Sequence, residues 1–183
     1  MKRRLFLGAL AAGMLSGAVS GSAQGLDPEN TLYLETRYGR TVIKLRPDLA
    51  PKHVARVKKL AREKFYDGIK FHRVIEGFMA QTGDPTGTGR GGSKYPDLRA
   101  EFSLQPYERG VVGMARSSNP HSANSQFFIM FARNSGLNGK YTVWGEVVSG
   151  MEYIDKVRRG SGSGGVVRNP DVMKSLRVAA DVK

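Results

Sequence analysis

Apolar and polar side chains alternate in Thr31 to Arg37 (TLYLETR) and again in Arg40 to Arg46 (RTVIKLR), with Tyr38-Gly39 between the two runs. A period of two sends successive side chains to opposite faces, so the pair reads as a β-hairpin with one buried face. The period then lengthens. Pro51 opens a stretch in which Val54, Val57, Leu60 and Ala61 recur at helical spacing, and a helix is expected over 51–64. Proline at the first helical position gives up no N–H that the helix needs. Lys52, Arg56, Lys58, Lys59 and Arg62 lie between the apolar positions. The apolar stripe is narrow and has no tryptophan, which fits a solvated outer face better than a membrane-surface helix. After Asp67-Gly68 the pattern returns to short strands, expected at 71–75, 78–82, 111–115, 127–131, 142–147 and 172–179, with a short helix over 151–157. Many short strands punctuated by glycine, with few helices, predict a mainly β fold. A closed barrel or a sandwich suits that pattern, and a doubly wound sheet does not. Ser161-Gly162-Ser163-Gly164-Gly165 reads as a surface loop, and no internal repeat is present.

The first 23 residues do not belong to this pattern. Lys2, Arg3 and Arg4 precede an apolar, uncharged run from Leu5 to Val19, followed by the small residues Ser20, Gly21, Ser22 and Ala23. That is the order of a signal peptide, with cleavage expected after Ala23 and Gly21 at the −3 place. An uncleaved anchor is the alternative, but the run falls short of the ~20 residues a membrane span needs. The Arg3-Arg4 pair leaves the Sec and twin-arginine routes both open. Residues 24–183 then form one mature domain, long enough to bury a core of its own. Cysteine is absent from the 183 residues, which excludes a disulfide framework, a thiolate nucleophile and a Cys-ligated metal. The formal charge is +13; setting aside the three cations near the start leaves +10 for the mature domain. Such a surface attracts polyanions. The positive residues are nevertheless spread along the chain, and no Lys/Arg-Gly-aromatic signature marks a strand, so no specific nucleic-acid partner is expected.

Most of the remaining sequence features read as ordinary structure. Gly87-Thr88-Gly89-Arg90-Gly91-Gly92 is glycine-rich, but Ser93-Lys94 is the wrong order for a phosphate loop and Pro96 disfavours an immediate helix. No serine has the Gly-x-Ser-x-Gly setting of a hydrolase elbow. His53, His72 and His121 are far apart with no paired spacing, so no metal site is expected. One constellation remains: Phe71-His72-Arg73, then Gly77-Phe78-Met79-Ala80-Gln81-Thr82-Gly83-Asp84, then Met114-Ala115-Arg116, then Ser125-Gln126-Phe127-Phe128-Ile129. Alternation along strands predicts that Phe71 and Arg73 share a face and that Met79 and Gln81 share one. A strand-borne arginine among apolar residues needs a partner for its charge. With one guanidinium, one amide and several large apolar side chains, such a site suits a neutral peptide.

These four motifs, in this order and spacing, resemble the cyclophilin family of peptidyl-prolyl isomerases over about residues 31–182. The run from Met114 to Ile129 is similar to its bacterial branch. The resemblance implies a closed eight-stranded antiparallel β-barrel capped by two helices, a shallow groove on its outer face and no cofactor. Carried over by position, it makes Arg73 the catalytic residue. Phe78, Met79, Phe128 and Leu137 line a proline pocket, while Gln81 and the backbone near Ala115-Arg116 hold the peptide. Tyr141 stands where the family has a histidine beside that pocket, Arg116 where eukaryotic members have asparagine, and Gly136 where they commonly have tryptophan. The last difference implies weak binding of cyclosporin. The expected partners are proline-containing polypeptides, the expected state a monomer without a stable membrane span, and the expected location the periplasm. A binding module with little turnover is the second reading, and a basic nucleic-acid or membrane-surface protein, resting on charge alone, is the third.

Overall fold

The computed structural model describes residues 25–183; the signal-peptide reading of residues 1–23 lies outside them. Eight strands form where the alternation places them: β1 (Thr31–Thr36), β2 (Gly39–Leu45), β3 (Arg73–Ile75), β4 (Met79–Thr82), β5 (Val111–Met114), β6 (Phe127–Met130), β7 (Val143–Ser149) and β8 (Ser175–Val178). They make one antiparallel sheet in the order β3-β4-β6-β5-β7-β2-β1-β8. The expectation of a closed barrel is corrected here. β3 and β8 share no ladder, so the sheet is an open, curled half-barrel. Its seam is met by residues 160–173, which reach the β3 edge through single bonds. Val74 N–H donates to the Gly165 carbonyl, Gly160 N–H to Val74, and Phe71 N–H to Asp171. A connecting segment with scattered bridges satisfies the edge amides there, so a regular β3–β8 ladder is unnecessary.

Both expected helices form, shorter than their apolar periods. Helix α1 (Pro51–Arg62) buries Val54, Val57, Leu60 and Ala61. It stops because Lys64 turns left-handed at φ 57, letting Phe65 N–H bond the Leu60 carbonyl and Lys64 N–H that of Ala61. Helix α2 (Met151–Ile154) ends as its last turn tightens, with Val157 N–H reaching only back to Ile154. Apolar residues of both helices join Leu32, Leu34, Ile43, Phe127 and Trp144 in the interior cluster. A second, smaller cluster of Met79, Tyr107, Val111, Phe128, Met130 and Val143 lies apart from it. Adjacent residues of β6 thus belong to different clusters, as a period of two requires: Phe127 and Ile129 to one, Phe128 and Met130 to the other.

The N-terminus of α1 is capped from a distance. Ala50 has no capping side chain; Glu101 accepts instead from the N–H groups of Lys52 (3.1 Å) and His53 (3.1 Å). The His53 ring, fully buried, sits with Nδ1 2.7 Å from the same carboxylate. Burial holds His53 below its ordinary value against the pull of Glu101. Burial also acts to raise Glu101, but the His53 ring and the two backbone N–H groups outweigh it and keep the carboxyl low. A neutral His53 donating from Nδ1 to an ionised Glu101 fits both shifts. Two groups with depressed folded values bind protons more readily in the unfolded chain. Stability is therefore fully present above about pH 6.5 and declines as pH falls, first through His53 and then through Glu101. Glu101→Ala is expected to cost about 1–3 kcal/mol at pH 7, measured by urea unfolding. A loss below a few tenths would show that the cap contributes nothing.

Candidate active site

Register builds the site. Arg73 pairs with Gln81 across β3 and β4, Gln81 with Phe128 across β4 and β6, and Phe128 with Gly113 across β6 and β5. Directly opposed residues of an antiparallel sheet point to the same face. One transverse row therefore presents a guanidinium, an amide, an aromatic ring and a gap on the face away from the interior cluster. The gap is required. A methyl group on Gly113 would run into the Tyr107 hydroxyl and the Phe128 ring, so glycine lets both rings settle over β5. Tyr107 stacks on Phe128 at 5.7 Å between centroids, and Tyr141 meets Phe128 edge-on at 5.8 Å.

The nine residues singled out in the sequence line one cavity of about 160 Å³: Arg73, Phe78, Met79, Gln81, Ala115, Arg116, Phe128, Leu137 and Tyr141. Met79 and Gln81 share its wall, as alternation predicts. Phe71 and Arg73 do not share a face, which corrects that expectation. Phe71 is buried in the interior cluster, while Arg73 lines the cavity. Strand β3 begins only at Arg73, so regular alternation does not run back through His72.

The Arg73 guanidinium is held at two points. Nε donates to the Gly164 carbonyl at 2.9 Å and Nη1 to Gln81 Oε1 at 3.1 Å. Gln81 Nε2 donates to Gln126 Oε1 (2.9 Å), and Gln126 Nε2 donates to the carbonyls of Gly91 (2.8 Å) and Gly89 (3.1 Å). A chain of oriented amides thus ties Arg73 to the glycine-rich loop. Asp84 organises that loop by accepting from Thr86 N–H (2.7 Å), the Thr86 hydroxyl (2.8 Å) and Gly89 N–H (2.6 Å). Burial would raise the Asp84 carboxyl, but these bonds and one from Gly91 outweigh it and hold it at about 2. Arg116 is also fixed. It lies 4.4 Å over the Tyr141 ring and donates to the carbonyls of Lys140 and Ser117, both at 2.9 Å. Among the described residues no cluster of His, Asp or Glu is arranged to hold a metal ion, and no helix is long and apolar enough to cross a membrane.

The sequence profile of the family described as cyclophilin type peptidyl-prolyl cis-trans isomerase/CLD matches residues 31–178. The chain belongs to the cyclophilin-type peptidyl-prolyl isomerases. It is an enzyme of that class, and the motifs that resemble the family carry the row just described. A Brucella suis protein named "Probable peptidyl-prolyl cis-trans isomerase" is 55% identical over 179 residues, covering 91% of each chain. A rat protein named peptidyl-prolyl cis-trans isomerase-like 3 is 42% identical over 131 residues, covering 69% of this chain and 80% of its own. Among solved structures, a cyclophilin from Hirschia baltica superposes with a TM-score of 0.77 at 28% identity, over 86% of this chain and 77% of that one. A Cryptosporidium parvum cyclophilin crystallised in the presence of the dipeptide Ala-Pro gives 0.75 at 29%, over 81% of this chain and 98% of its own.

Sequence reasoning on this cyclophilin missed three contributors. Gln126 stands beside the aromatic pair in a quoted motif and shares a face with Phe128, so alternation could have found it. Tyr107 and the Gly164 carbonyl carry no local signal, because loops bring them to the row. Gly165 holds the second of these in place: its φ is +67, and a Cβ there would meet Ile75 and the Val74 carbonyl. Gly165→Ala should displace the Gly164 carbonyl from Arg73 and lower kcat on the order of tenfold with little change in KM. An unchanged kcat would show that this carbonyl does not position the guanidinium.

Proposed function

We propose that this cyclophilin speeds rotation of X-Pro bonds in exported proteins as they fold, with Arg73 as the catalytic residue. The observation that carries the assignment is the two-point anchorage of Arg73 beside a cavity of about 160 Å³ that Phe78, Met79, Phe128 and Leu137 help to wall, a size that suits a proline ring. The barrier to be lowered comes from amide resonance, about 18–20 kcal/mol. No bond need break, so neither a nucleophile nor a general base is required; the site must favour the twisted amide over both planar isomers. In that state the prolyl nitrogen regains its lone pair. Arg73 donates a hydrogen bond toward it while steadying the adjoining carbonyl, a task for which a fork that never deprotonates is suited. Phe78, Met79, Phe128 and Leu137 hold the ring in a dry setting where that bond is stronger. Gln81 and the backbone at Ala115-Arg116 hold the flanking chain while the other side turns. An acceleration of ~10⁵ needs about 7 kcal/mol, of which one charged hydrogen bond supplies about 1.5–3 kcal/mol. Positioning and desolvation supply the rest.

Export is supported by the charged, apolar and small-residue order of residues 1–23. Weak cyclosporin binding is supported by Gly136, which offers no aromatic surface beside Leu137. The test has two parts. Residues 24–183 should accelerate isomerisation of an Ala-Pro test peptide, and equal rates with and without protein would leave only a peptide-binding module. Expressed in full in a Gram-negative host, the protein should appear in the periplasm beginning at Gln24; retention of residues 1–23 in the cytoplasm would remove the exported role.

A further inference from the structure

A second cavity of about 570 Å³ adjoins the first and shares Gln81, Ala115 and Arg116 with it. Its far wall is the glycine-rich loop, including Gly89, Arg90 and Gly91, with hydroxyls of Ser93, Ser117 and Ser122 around it. Cations outnumber acids in its lining by two to one. Arg90 and Arg116 face it, and Arg73 stands in the adjoining cavity. Among the described residues none of these three arginines has a carboxylate within 4.0 Å, whereas eight of the others do. The single acid in the lining, Asp97, already accepts from Asn124 Nδ2 at 3.0 Å. The guanidinium of Arg116 is immobilised by Tyr141, Lys140 and Ser117, yet Nη2 spends only one of its hydrogens, on Lys140. Arg90 sits on a loop braced through Asp84 and Gln126, and its guanidinium makes no hydrogen bond to the described residues. Two arginines against one acid leave the rim of this roomy polar cavity net positive, with Arg116 immobilised and Arg90 free to adjust, which forms a receptor for a carboxylate brought by the bound polypeptide.

Chain geometry says which residue brings it. An extended peptide advances about 3.3–3.6 Å per residue and sends alternate side chains to one side. With proline in the smaller cavity, the next side chain on that side belongs to the residue two places away. We infer that the larger cavity is an acid-selective subsite, which takes the carboxylate of an Asp or Glu two residues from the isomerising proline, between Arg90 and Arg116. This rests on the isomerase reading for the placement of the proline. It also makes the glycine-rich loop a mount for a specificity-determining arginine.

The test compares Glu, Gln and Lys peptides, with the variable residue two places before or two places after the proline, as kcat/KM and as affinity by fluorescence anisotropy. The wild-type enzyme should favour Glu over Gln about fivefold in one of the two series and disfavour Lys. The preference should shrink as salt shortens the screening length below about 10 Å. Arg90→Gln and Arg116→Gln should each lower the Glu/Gln ratio, and the double variant should bring it near one. A wild-type ratio of one in both series overturns the inference, as does a preference that survives in the double variant. If no peptide is isomerised, the isomerase reading fails instead; the affinity ratios still decide whether the cavity selects acid.

Discussion

Arg73→Ala should lower kcat/KM for an Ala-Pro peptide by about 10²–10³-fold, while the far-ultraviolet circular dichroism and the unfolding midpoint stay close to wild type. The size follows from what is lost. On the proposed mechanism the donor aimed at the prolyl nitrogen disappears, and water entering the space is a poorer, unoriented donor. Stability should change little because Arg73 forms no ion pair among the described residues and lies at the short edge strand β3, where its side chain is only half-buried. Arg73→Lys separates charge from geometry. A lysine keeps the charge, but its compact ammonium lacks the planar fork whose separate nitrogens reach Gly164 and Gln81 and leave a third facing the cavity, so most of the loss should remain. A fully active Arg73→Lys variant would mean that a positive charge near the cavity is sufficient. A fully active Arg73→Ala variant would remove the arginine from the mechanism.

Phe127 and Phe128 are adjacent, and their substitution should separate stability from turnover. Phe127 is fully buried in the interior cluster, edge-on to Trp144 at 5.3 Å and to Tyr66 at 5.6 Å. Phe127→Ala removes a ring from a close-packed core and should destabilise by about 3–5 kcal/mol. That corresponds to a fall of roughly 6–20 °C in Tm for a domain of this size. Activity per folded molecule at low temperature should hardly change. Phe128 stands one residue on, at the floor of the cavity between Tyr107 and Tyr141. Phe128→Leu keeps most of the apolar volume but loses the flat ring, so stability should fall by about 1 kcal/mol while kcat/KM falls on the order of tenfold or more. The reverse result, activity lost in the first variant and stability in the second, would mean that the two faces of β6 have been interchanged.

The elements were legible because each carries a local period: two for the hairpin and the motif strands, near 3.6 for α1. Their ends were less so. Helix α1 stops two residues early because the chain turns left-handed at Lys64, a conformation that no pattern in the neighbouring residues announces. Phe71 lies off the face of Arg73 because the residues before Arg73 are not strand, and alternation does not hold across them. The nine residues expected at one site do surround one cavity, and they could be named because motifs at fixed spacing preserve an arrangement in space. Their partners in the site are different in kind. Gly164 reaches Arg73 across 91 positions of sequence, and Gln126 reaches the glycine-rich loop across 35 to 37.

By itself, then, the sequence determined which segments are strands and helices, which side chains of β4 and β6 share a face, and which family the chain resembles. All of these depend on neighbours within a few residues or on motif order. Tertiary structure decided that the half-barrel stays open at β3, that Glu101 caps a helix nearly fifty residues before it, and that Arg73 is gripped by a loop carbonyl. It also decided that Arg90 and Arg116, far apart in the chain, face one cavity. Each of these depends on distances between residues far apart in the chain. Such distances are set by register, sheet curl and the route of loops, and a local pattern of side chains contains none of the three.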